Sequence, residues 1–154
     1  MAKPVRLERI ADALPAGLAA MRAEARAEGH TMLDTLAAEW EAGKTRFDRA
    51  GEALFALYSD GVLAGIGGLT MEPTAPDALR MRRFYVRASF RRGGVGRTLA
   101  AALLQQATRT SRMVTVNAAA GSERFWEALG FAPDQQHGHT HVLRRPPERS
   151  ATAV

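Results

Sequence analysis

The chain has 154 residues, of which 46% are apolar and 24% charged, as in an ordinary globular domain. This length is enough to bury a hydrophobic core, so we expect one domain over residues 1–145 and a disordered tail over residues 146–154. The absence of cysteine excludes disulfide bonds, thiolate metal sites and a cysteine nucleophile. The first residues lack the apolar segment of a secretory signal, and no apolar run is long enough to span a membrane. We therefore expect a cytoplasmic protein without a membrane partner.

The positive charge of the chain is concentrated in one stretch. The formal net charge is +5. Residues 1–77 hold 8 basic and 12 acidic residues, whereas residues 78–122 hold nine arginines and no acidic residue. Such a stretch suits a polyanion, either a nucleotide cofactor or a nucleic acid, and a solvated arginine-rich face would have the same composition. Charge alone leaves these interpretations open.

The first half of the chain has the pattern of a strand, two helices and a hairpin. Apolar side chains recur at helical spacing in two segments, each of which begins at a capping residue and ends at a glycine. The dipeptide Asp60-Gly61 is typical of a tight hairpin turn. Glycines inside the second hairpin strand would allow a bulge or a close approach of the backbone. The predicted elements are a strand at 5–10, helices from Asp12 to Gly29 and from Thr31 to Gly43, and hairpin strands at 52–59 and 62–70, with Gly65, Gly67 and Gly68 in the second of these.

The second half alternates strands and helices. Its strands are predicted at 79–86, 113–116 and 139–143, with a helix after each of the first two. The order β-α-α-β-β-β-α-β-α-β predicts a mixed α/β (α+β) fold, with helices packed on the faces of one sheet.

A glycine-rich loop, Arg91-Arg92-Gly93-Gly94-Val95-Gly96, joins the strand at 79–86 to the next helix. Glycines let the backbone turn tightly and present successive N–H groups, and a helix N-terminus adds unpaired donors and partial positive charge. Together these features form an anion site suited to a pyrophosphate. The loop lacks the lysine of a Walker motif and the G-x-G-x-x-G spacing of dinucleotide-binding loops. What remains is R-x-x-G-x-G between a strand and a helix.

This pattern and a second one downstream resemble the GNAT superfamily of acyltransferases. The acetyl-CoA motif of that family, [QR]-x-x-G-x-[GA] after the fourth strand, is similar to Arg91 to Gly96. Downstream, Asn117 followed by Trp126 to Phe131 resembles the family segment "N…FYEKLGF". The two matches span about residues 79–131. The resemblance implies a mixed, mostly antiparallel central sheet of 6–7 strands with about four helices.

The resemblance also implies that acetyl-CoA (coenzyme A) is a co-substrate and that no metal is needed. The pantetheine arm would pass between splayed fourth and fifth strands, and the loop amides and arginines would hold the pyrophosphate. Asn117 would face the cofactor, or would be only a turn residue at a strand end. The implied cofactor-binding residues are Phe84, Tyr85, Val86, Arg91, Arg92, Gly93, Gly94, Val95, Gly96, Arg97, Thr98, Asn117 and Trp126.

One departure from the family pattern is Trp126. Many members of the family have a tyrosine there, whose hydroxyl can protonate the departing thiolate. An indole N–H is a donor only and is not a general acid near neutral pH. We interpret Trp126 as an apolar wall for the pantetheine arm. Another group could then serve as the acid, the thiolate could leave unaided, or catalysis could have been lost.

A second departure is the arginine-rich fourth strand, where the family often has a glutamate base. Strand alternation would put Arg80 and Arg82 on the same face as Phe84 and Val86. An arginine cannot accept a proton, but it can pair bidentately with a carboxylate or a phosphate. We hypothesise that the acceptor substrate carries an anionic group near Arg82. Steering of the cofactor, or pairing with Glu52 or Glu72, is the alternative.

The remaining candidates for the reaction are few. Glu72 is the first candidate for the general base, ahead of His139 and His141. Phe47 could line the acceptor substrate from the loop at 44–51. His137 alternates with the other two histidines, but without cysteine or an ordered carboxylate nearby we expect no metal.

The leading hypothesis is an N-acyltransferase that moves acetyl from acetyl-CoA to a primary amine by direct attack in a ternary complex. A non-catalytic acyl-CoA-binding sensor comes second, and a nucleic-acid-binding module is less favoured because CoA phosphates would already use the arginines. The sequence does not identify the acceptor, which could be a small molecule or a peptide amine. A homodimer is common among proteins that this chain resembles.

Overall fold

The computed structural model describes residues 4–75, 77–136 and 138–144. Its strands are β1 (Val5–Arg9), β2 (Ala53–Ser59), β3 (Val62–Met71), β4 (Ala78–Val86), β5 (Met113–Val116), β6 (Ala132–Gln136) and β7 (His139–Arg144). Its helices are α1 (Leu18–Ala27), α2 (Met32–Glu41), α3 (Val95–Ala107) and α4 (Glu123–Ala128), with a short 3₁₀ helix at Ala88–Phe90. The predicted tail at 146–154 and His137 lie outside the described residues.

All seven strands form one sheet in the order β1-β2-β3-β4-β5-β7-β6. Neighbouring strands are antiparallel except β4 and β5, which are parallel. The predicted mixed, mostly antiparallel sheet with helices on its faces is confirmed. None of the helices in the described part of the chain is long and apolar enough to cross a membrane.

Each face of the sheet carries its own hydrophobic core. The α3 and α4 side is built around Leu99, Leu103 and Val114, and the α1 and α2 side around Met21, Leu36 and Ile66. Because both faces are covered, β3 is buried without interruption from its second to its ninth residue. A strand covered on both sides has a continuous apolar run instead of the alternation of a half-exposed strand.

The first N-terminal helix begins later than predicted, whereas the second begins at its predicted cap. The first starts at Leu18 and not after Asp12, since a proline at position 15 disfavours helical backbone in the residue before it. Thr31 is the N-cap of α2, but its side chain makes no capping hydrogen bond. Asp34 instead accepts hydrogen bonds from Arg22 and Arg26 of α1, at 2.9 and 2.8 Å. These ion pairs connect α1 to α2.

The strand β6 is the one strand absent from the predicted order, within the part of the chain that the structure describes. Its polar sequence and its proline at position 133 are unfavourable in a central strand. In the structure β6 is the edge strand and pairs only with β7, where a missing backbone donor can face solvent.

A β-bulge interrupts the pairing of β4 with β3. Two residues of β4, Arg83 and Phe84, lie opposite the single Gly67 of β3, and Arg83 has a φ of 55°. A bulge inserts one unpaired residue into a strand and increases the local twist. The bulge expected from the glycines of β3 is therefore present.

The bulge changes which side chains of β4 share a face. Met81, Phe84 and Val86 pack in the core beside α3, whereas Arg82 and Arg83 line a cavity beside α2. The prediction that Arg82 lies on the same face as Phe84 and Val86 is wrong, because it assumed an uninterrupted alternation along the strand.

Two glycines of β3 make room for aromatic rings on opposite faces of the sheet. A Cβ atom on Gly67 would lie 2.8 Å from the ring of Phe84, and one on Gly68 would lie 2.5 Å from the ring of Phe47. A residue with a Cβ atom could not replace either glycine unless the neighbouring aromatic ring moved. Glycine at these positions therefore lets Phe84 and Phe47 pack directly on the sheet.

We expect Gly68→Ala to lower the free energy of unfolding by about 1–3 kcal/mol, because the added methyl group overlaps the buried ring of Phe47. Denaturation in urea measures the change. Gly93→Ala is the matched control: the nearest atom to its added methyl group is 3.8 Å away, so its stability should stay within about 0.5 kcal/mol of the wild type. Equal stability of both variants would show that Phe47 moves aside without cost.

Candidate active site

A gap opens between β4 and β5 at the bulge. The two strands pair in parallel only as far as Met81 and Val116. Beyond this point β4 continues to Val86, whereas β5 ends and an exposed Asn117 follows. The edge of β4 from Phe84 onward therefore has no strand partner on this side within the described residues. An extended ligand can bind such an edge through backbone hydrogen bonds.

The glycine-rich loop presents a run of unpaired N–H groups beside this gap. Gly94 is the N-cap of α3 and has a φ of 84°, a left-handed conformation that suits glycine. No backbone carbonyl in the described ranges accepts from the N–H groups of Arg92 to Arg97, and α3 has no side-chain cap. The N–H groups of Arg91 and Thr98, also predicted to bind phosphate, are engaged by backbone carbonyls at 3.2 and 2.9 Å. Six consecutive donors are thus available to an anion.

The side chain of Arg91 is fixed by Glu28 at the C-terminal end of α1. Its Nη1 and Nη2 atoms donate to the two carboxylate oxygens at 2.7 and 2.8 Å. Tyr85 also donates to Glu28, and the Arg91 guanidinium lies 5.5 Å from the Tyr85 ring centroid. Hydrogen bonds from Arg91 and then Tyr85 lower the pKa of Glu28 to about 2. The side chain of Arg91 therefore anchors the loop to the end of α1, and a contact between it and a pyrophosphate stays a prediction. The side chains of Arg92 and Arg97 are exposed.

The predicted wall residue Trp126 lies in an aromatic cluster. Its ring centroid is 4.9 Å from those of Phe84 and Phe125 and 5.4 Å from that of Phe131. Trp126 is only 4% exposed, so its ring ties α4 to the inner face of β4. A direct contact between Trp126 and a pantetheine arm stays a prediction.

A cavity of about 280 Å³ lies beside α2, on the face of the sheet opposite α3. The two residues predicted to contact an acceptor substrate, Phe47 and Arg82, both line it. Arg82 and Arg83 stand directly before Phe84, so the cavity reaches β4 at the bulge where the gap begins. The lining residues are Glu39, Gly43, Lys44, Thr45, Arg46, Phe47, Asp48, Arg49, Glu52, Thr70, Met71, Arg82 and Arg83.

Glu72, the predicted general base, is buried in an ion pair away from this lining. Arg80 donates to its two oxygens at 2.8 and 2.7 Å, and Thr74 and Thr115 donate as well. Burial alone would raise the pKa of Glu72, but these hydrogen bonds outweigh it and lower the pKa to about 2. Because a carboxylate with so low a pKa is a poor proton acceptor at neutral pH, the geometry argues against Glu72 as the base.

The two histidines predicted as alternative bases, His139 and His141, are also buried in structural contacts. The Nε2 atom of His141 lies 2.9 Å from a carboxylate oxygen of Glu127, and that of His139 lies 3.4 Å from Asp134. In the part of the chain that the structure describes, no three histidine, aspartate or glutamate side chains converge as they would around a metal ion. Neither histidine lines the cavity.

Comparison with known proteins identifies the fold. The model of a family described as "Acetyltransferase (GNAT) domain" matches residues 19–144. No curated protein sequence matches the chain. A putative acetyltransferase from Exiguobacterium sp. 255-15 is 22% identical, with a TM-score of 0.84 over 92% of this chain and 93% of that one.

Two other solved structures are similar over nearly their whole length. YncA of Salmonella typhimurium, a putative acetyltransferase solved with its cofactor acetyl-CoA, is 17% identical, with a TM-score of 0.66 over 97% of this chain and 99% of that one. The ribosomal-protein-S18-alanine N-acetyltransferase of Escherichia coli is 14% identical, with a TM-score of 0.67 over 96% and 98%. At these identities the similarity establishes the fold alone.

We expect Glu72 to make the stability of the protein depend on pH in the acid range. Since its pKa falls from the ordinary 4.5 to about 2 on folding, the ion pair contributes fully above about pH 4.5 and is lost as the pH falls through 2. Between pH 5 and pH 2.5, Glu72→Gln should therefore lose less stability than the wild type, by on the order of 2 kcal/mol.

Urea denaturation at a series of pH values measures this difference. At pH 7 the same variant should be about 3 kcal/mol less stable, because Arg80 is left without its partner. Glu41→Gln is the control, since Glu41 is exposed on α2 and forms no ion pair with a described residue. Parallel pH curves for the wild type and Glu72→Gln would contradict the prediction.

Proposed function

The chain belongs to the GNAT acetyltransferase family, and from this premise we propose that it transfers an acetyl group from acetyl-CoA to a primary amine in a ternary complex. The observation that carries the proposal is the run of six unpaired N–H groups from Arg92 to Arg97 beside the gap after β4. Backbone donors at a helix N-terminus match the charge and spacing of a pyrophosphate.

Different residues of the loop would contact the cofactor in different ways. Gly93, Gly94 and Gly96 let the backbone approach the phosphates closely, and Val95 contributes only its N–H group, since its side chain is buried. The exposed guanidinium groups of Arg92 and Arg97 supply mobile charge. The Thr98 hydroxyl, on the first turn of α3, is a further donor.

The gap would receive the pantetheine arm. Backbone groups of β4 from Phe84 through Tyr85 to Val86 would bind it on one side, and Asn117 would face it from the end of β5. Trp126 would back this channel from behind Phe84, consistent with its ring distance of 4.9 Å. The channel would end at the bulge, next to the cavity that contains Arg82.

Acetyl-CoA would supply an activated thioester, so little chemical assistance is needed from the chain. Backbone N–H groups of β4 at the bulge would polarise the thioester carbonyl. The walls of the cavity would hold the amine against the reactive carbon, and this proximity would contribute most of the acceleration. The amine nitrogen forms the amide bond, the C–S bond breaks, water takes the amine proton, and the thiolate departs as free CoA.

A non-catalytic acyl-CoA-binding sensor is the second candidate function. It is favoured by the ion-paired state of Glu72 and by the presence of a tryptophan where a tyrosine could act as an acid. A nucleic-acid-binding role is disfavoured, because four arginines of the basic stretch already pair with carboxylates. Release of free CoA in the presence of amines distinguishes an enzyme from a sensor.

We expect Gly93→Glu to weaken acetyl-CoA binding by about a hundredfold, because it puts a carboxylate beside the pyrophosphate. Gly93 has no atom within 3.8 Å of an added Cβ and no left-handed backbone, so the substitution adds charge without strain. Gly93→Gln is the matched control of nearly equal size and should weaken binding less than about tenfold. Isothermal titration calorimetry measures both.

Two results would count against this assignment. Failure of the folded wild type to bind acetyl-CoA would refute the cofactor and with it the enzyme. Equal loss of affinity in Gly93→Glu and Gly93→Gln would show that the size of the new side chain, and not its charge, weakens the binding of acetyl-CoA. That result would argue against a pyrophosphate bound at this loop.

A further inference from the structure

Three arginines of β4 differ in whether a carboxylate neutralises them. Arg80 and Arg83 each form an ion pair at 2.7 Å, with Glu72 and Glu39 respectively. Arg82 between them donates only to the Thr70 hydroxyl, at 3.1 Å. No carboxylate of the described chain lies within 4.0 Å of its guanidinium group.

The surroundings of Arg82 disfavour its charge. Burial lowers the pKa of Arg82, and the positive charges of Arg83 and Arg80 lower it further. A guanidinium group nevertheless stays protonated at neutral pH. A half-buried, protonated group with so little compensation would be stabilised by an anion at close range.

The lining of the cavity in front of Arg82 has more basic than acidic residues, five against three. Of the three acids, Glu39 is paired with Arg83, and Asp48 is exposed to solvent. The third, Glu52, is buried and accepts from the backbone N–H groups of Arg49 and Met71 at 3.3 and 3.0 Å. None of the three forms an ion pair with Arg82, so the lining has an excess of positive charge in which Arg82 has no carboxylate partner.

The size and the walls of the cavity restrict what could bind there. A volume of about 280 Å³ suits a molecule of amino-acid size. The buried ring of Phe47 gives the cavity an apolar part of its wall. Arg82 precedes the bulge by one residue, so a molecule bound to it would lie next to the start of the gap, where the proposed function has the thioester.

We propose that the acceptor is a small primary amine that also carries a carboxylate, which Arg82 binds bidentately while Phe47 packs on the carbon chain. This inference rests on the proposed function. A guanidinium group matches a carboxylate through two parallel hydrogen bonds, and an alcohol or an amide offers no such match. The carboxylate is unchanged by the reaction, in which the neutral amine nitrogen forms the amide bond, the C–S bond breaks, and the proton that the nitrogen loses passes through water to the thiolate, which is released as free CoA.

Matched pairs of amines test the proposal without any variant. A panel of α- and ω-amino acids is compared with the corresponding carboxamides, and kcat/KM is measured from the release of free CoA. Each pair has the same carbon chain and amine position, and the α-carboxamide has the less basic amine, which favours its reaction. We expect the wild type to prefer the free acids by on the order of ten- to a hundredfold.

Three arginine variants test which residue is responsible for the preference for acids. Arg82→Gln should reduce the preference for acids to less than about threefold, while its affinity for acetyl-CoA stays that of the wild type. Arg109→Gln removes the same charge from an exposed position after α3 and should keep the full preference. Arg82→Lys, which keeps the charge but loses the bidentate geometry, should fall between them.

The outcomes separate this inference from the proposed function. Equal rates for acids and carboxamides, or an unchanged preference in folded Arg82→Gln, would overturn the carboxylate site while leaving the acetyltransferase. If no amine is acetylated, the proposed function fails, and calorimetry of the same pairs on the CoA-bound protein decides the inference. Tighter binding of the acids would support the anion site, and equal or absent binding would overturn it.

Discussion

The gap after β4 and the cavity beside α2, which together form the candidate active site, both depend on the β-bulge at Arg83 and Phe84. The extra residue lets Arg82 and Arg83 face the cavity beside α2 while Phe84 joins the aromatic cluster beside α3. An uninterrupted strand would put Arg82 and Phe84 on one face, so that a charge would lie among aromatic rings. The bulge also coincides with the end of pairing between β4 and β5, where the gap begins. Gly67 allows Phe84 to take this position at the bulge, because a Cβ atom on residue 67 would collide with the Phe84 ring.

Ion pairing explains why so basic a stretch can fold onto the rest of the chain. Carboxylates of α1 and α2 neutralise three of its arginines, with Glu24 next to Arg87 and Glu28 next to Arg91. Charges that are separated along the sequence therefore meet across the fold and tie the N-terminal helices to the loop. Within the described residues, three arginines of this stretch lie at the loop or the cavity and have no such partner, namely Arg92, Arg97 and Arg82. They lie where the two proposed ligands would carry negative charge.

Local sequence predicted those parts of the site that local structure determines. The loop from Arg91 to Gly96 was predictable because its glycines and the following helix lie within one short segment. The ion pair of Arg91 with Glu28 spans 63 residues, and that of Arg80 with Glu72 depends on the hairpin register, so neither has a sequence signature. The position of the bulge could not be predicted from the sequence either, because the three glycines of β3 would allow a bulge at more than one position. The polar strand β6 is stabilised by its edge position rather than by its composition.

The acid–base groups of this site are sparse, and the arrangement of charges suggests what replaces them. Burial would raise the pKa of Glu72, but the hydrogen bonds from Arg80 and Thr115 lower it to about 2, so Glu72 is a poor proton acceptor near neutral pH. The indole N–H of Trp126 is not a general acid. A thioester needs little activation, so the rate depends on how well the amine is held against it. Under the proposed carboxylate site, a bidentate contact at Arg82 would fix one end of a short acceptor, and Phe47 would limit its rotation. Arg82 would then contribute to catalysis by orientation, in place of the proton transfer that a glutamate at this strand would provide.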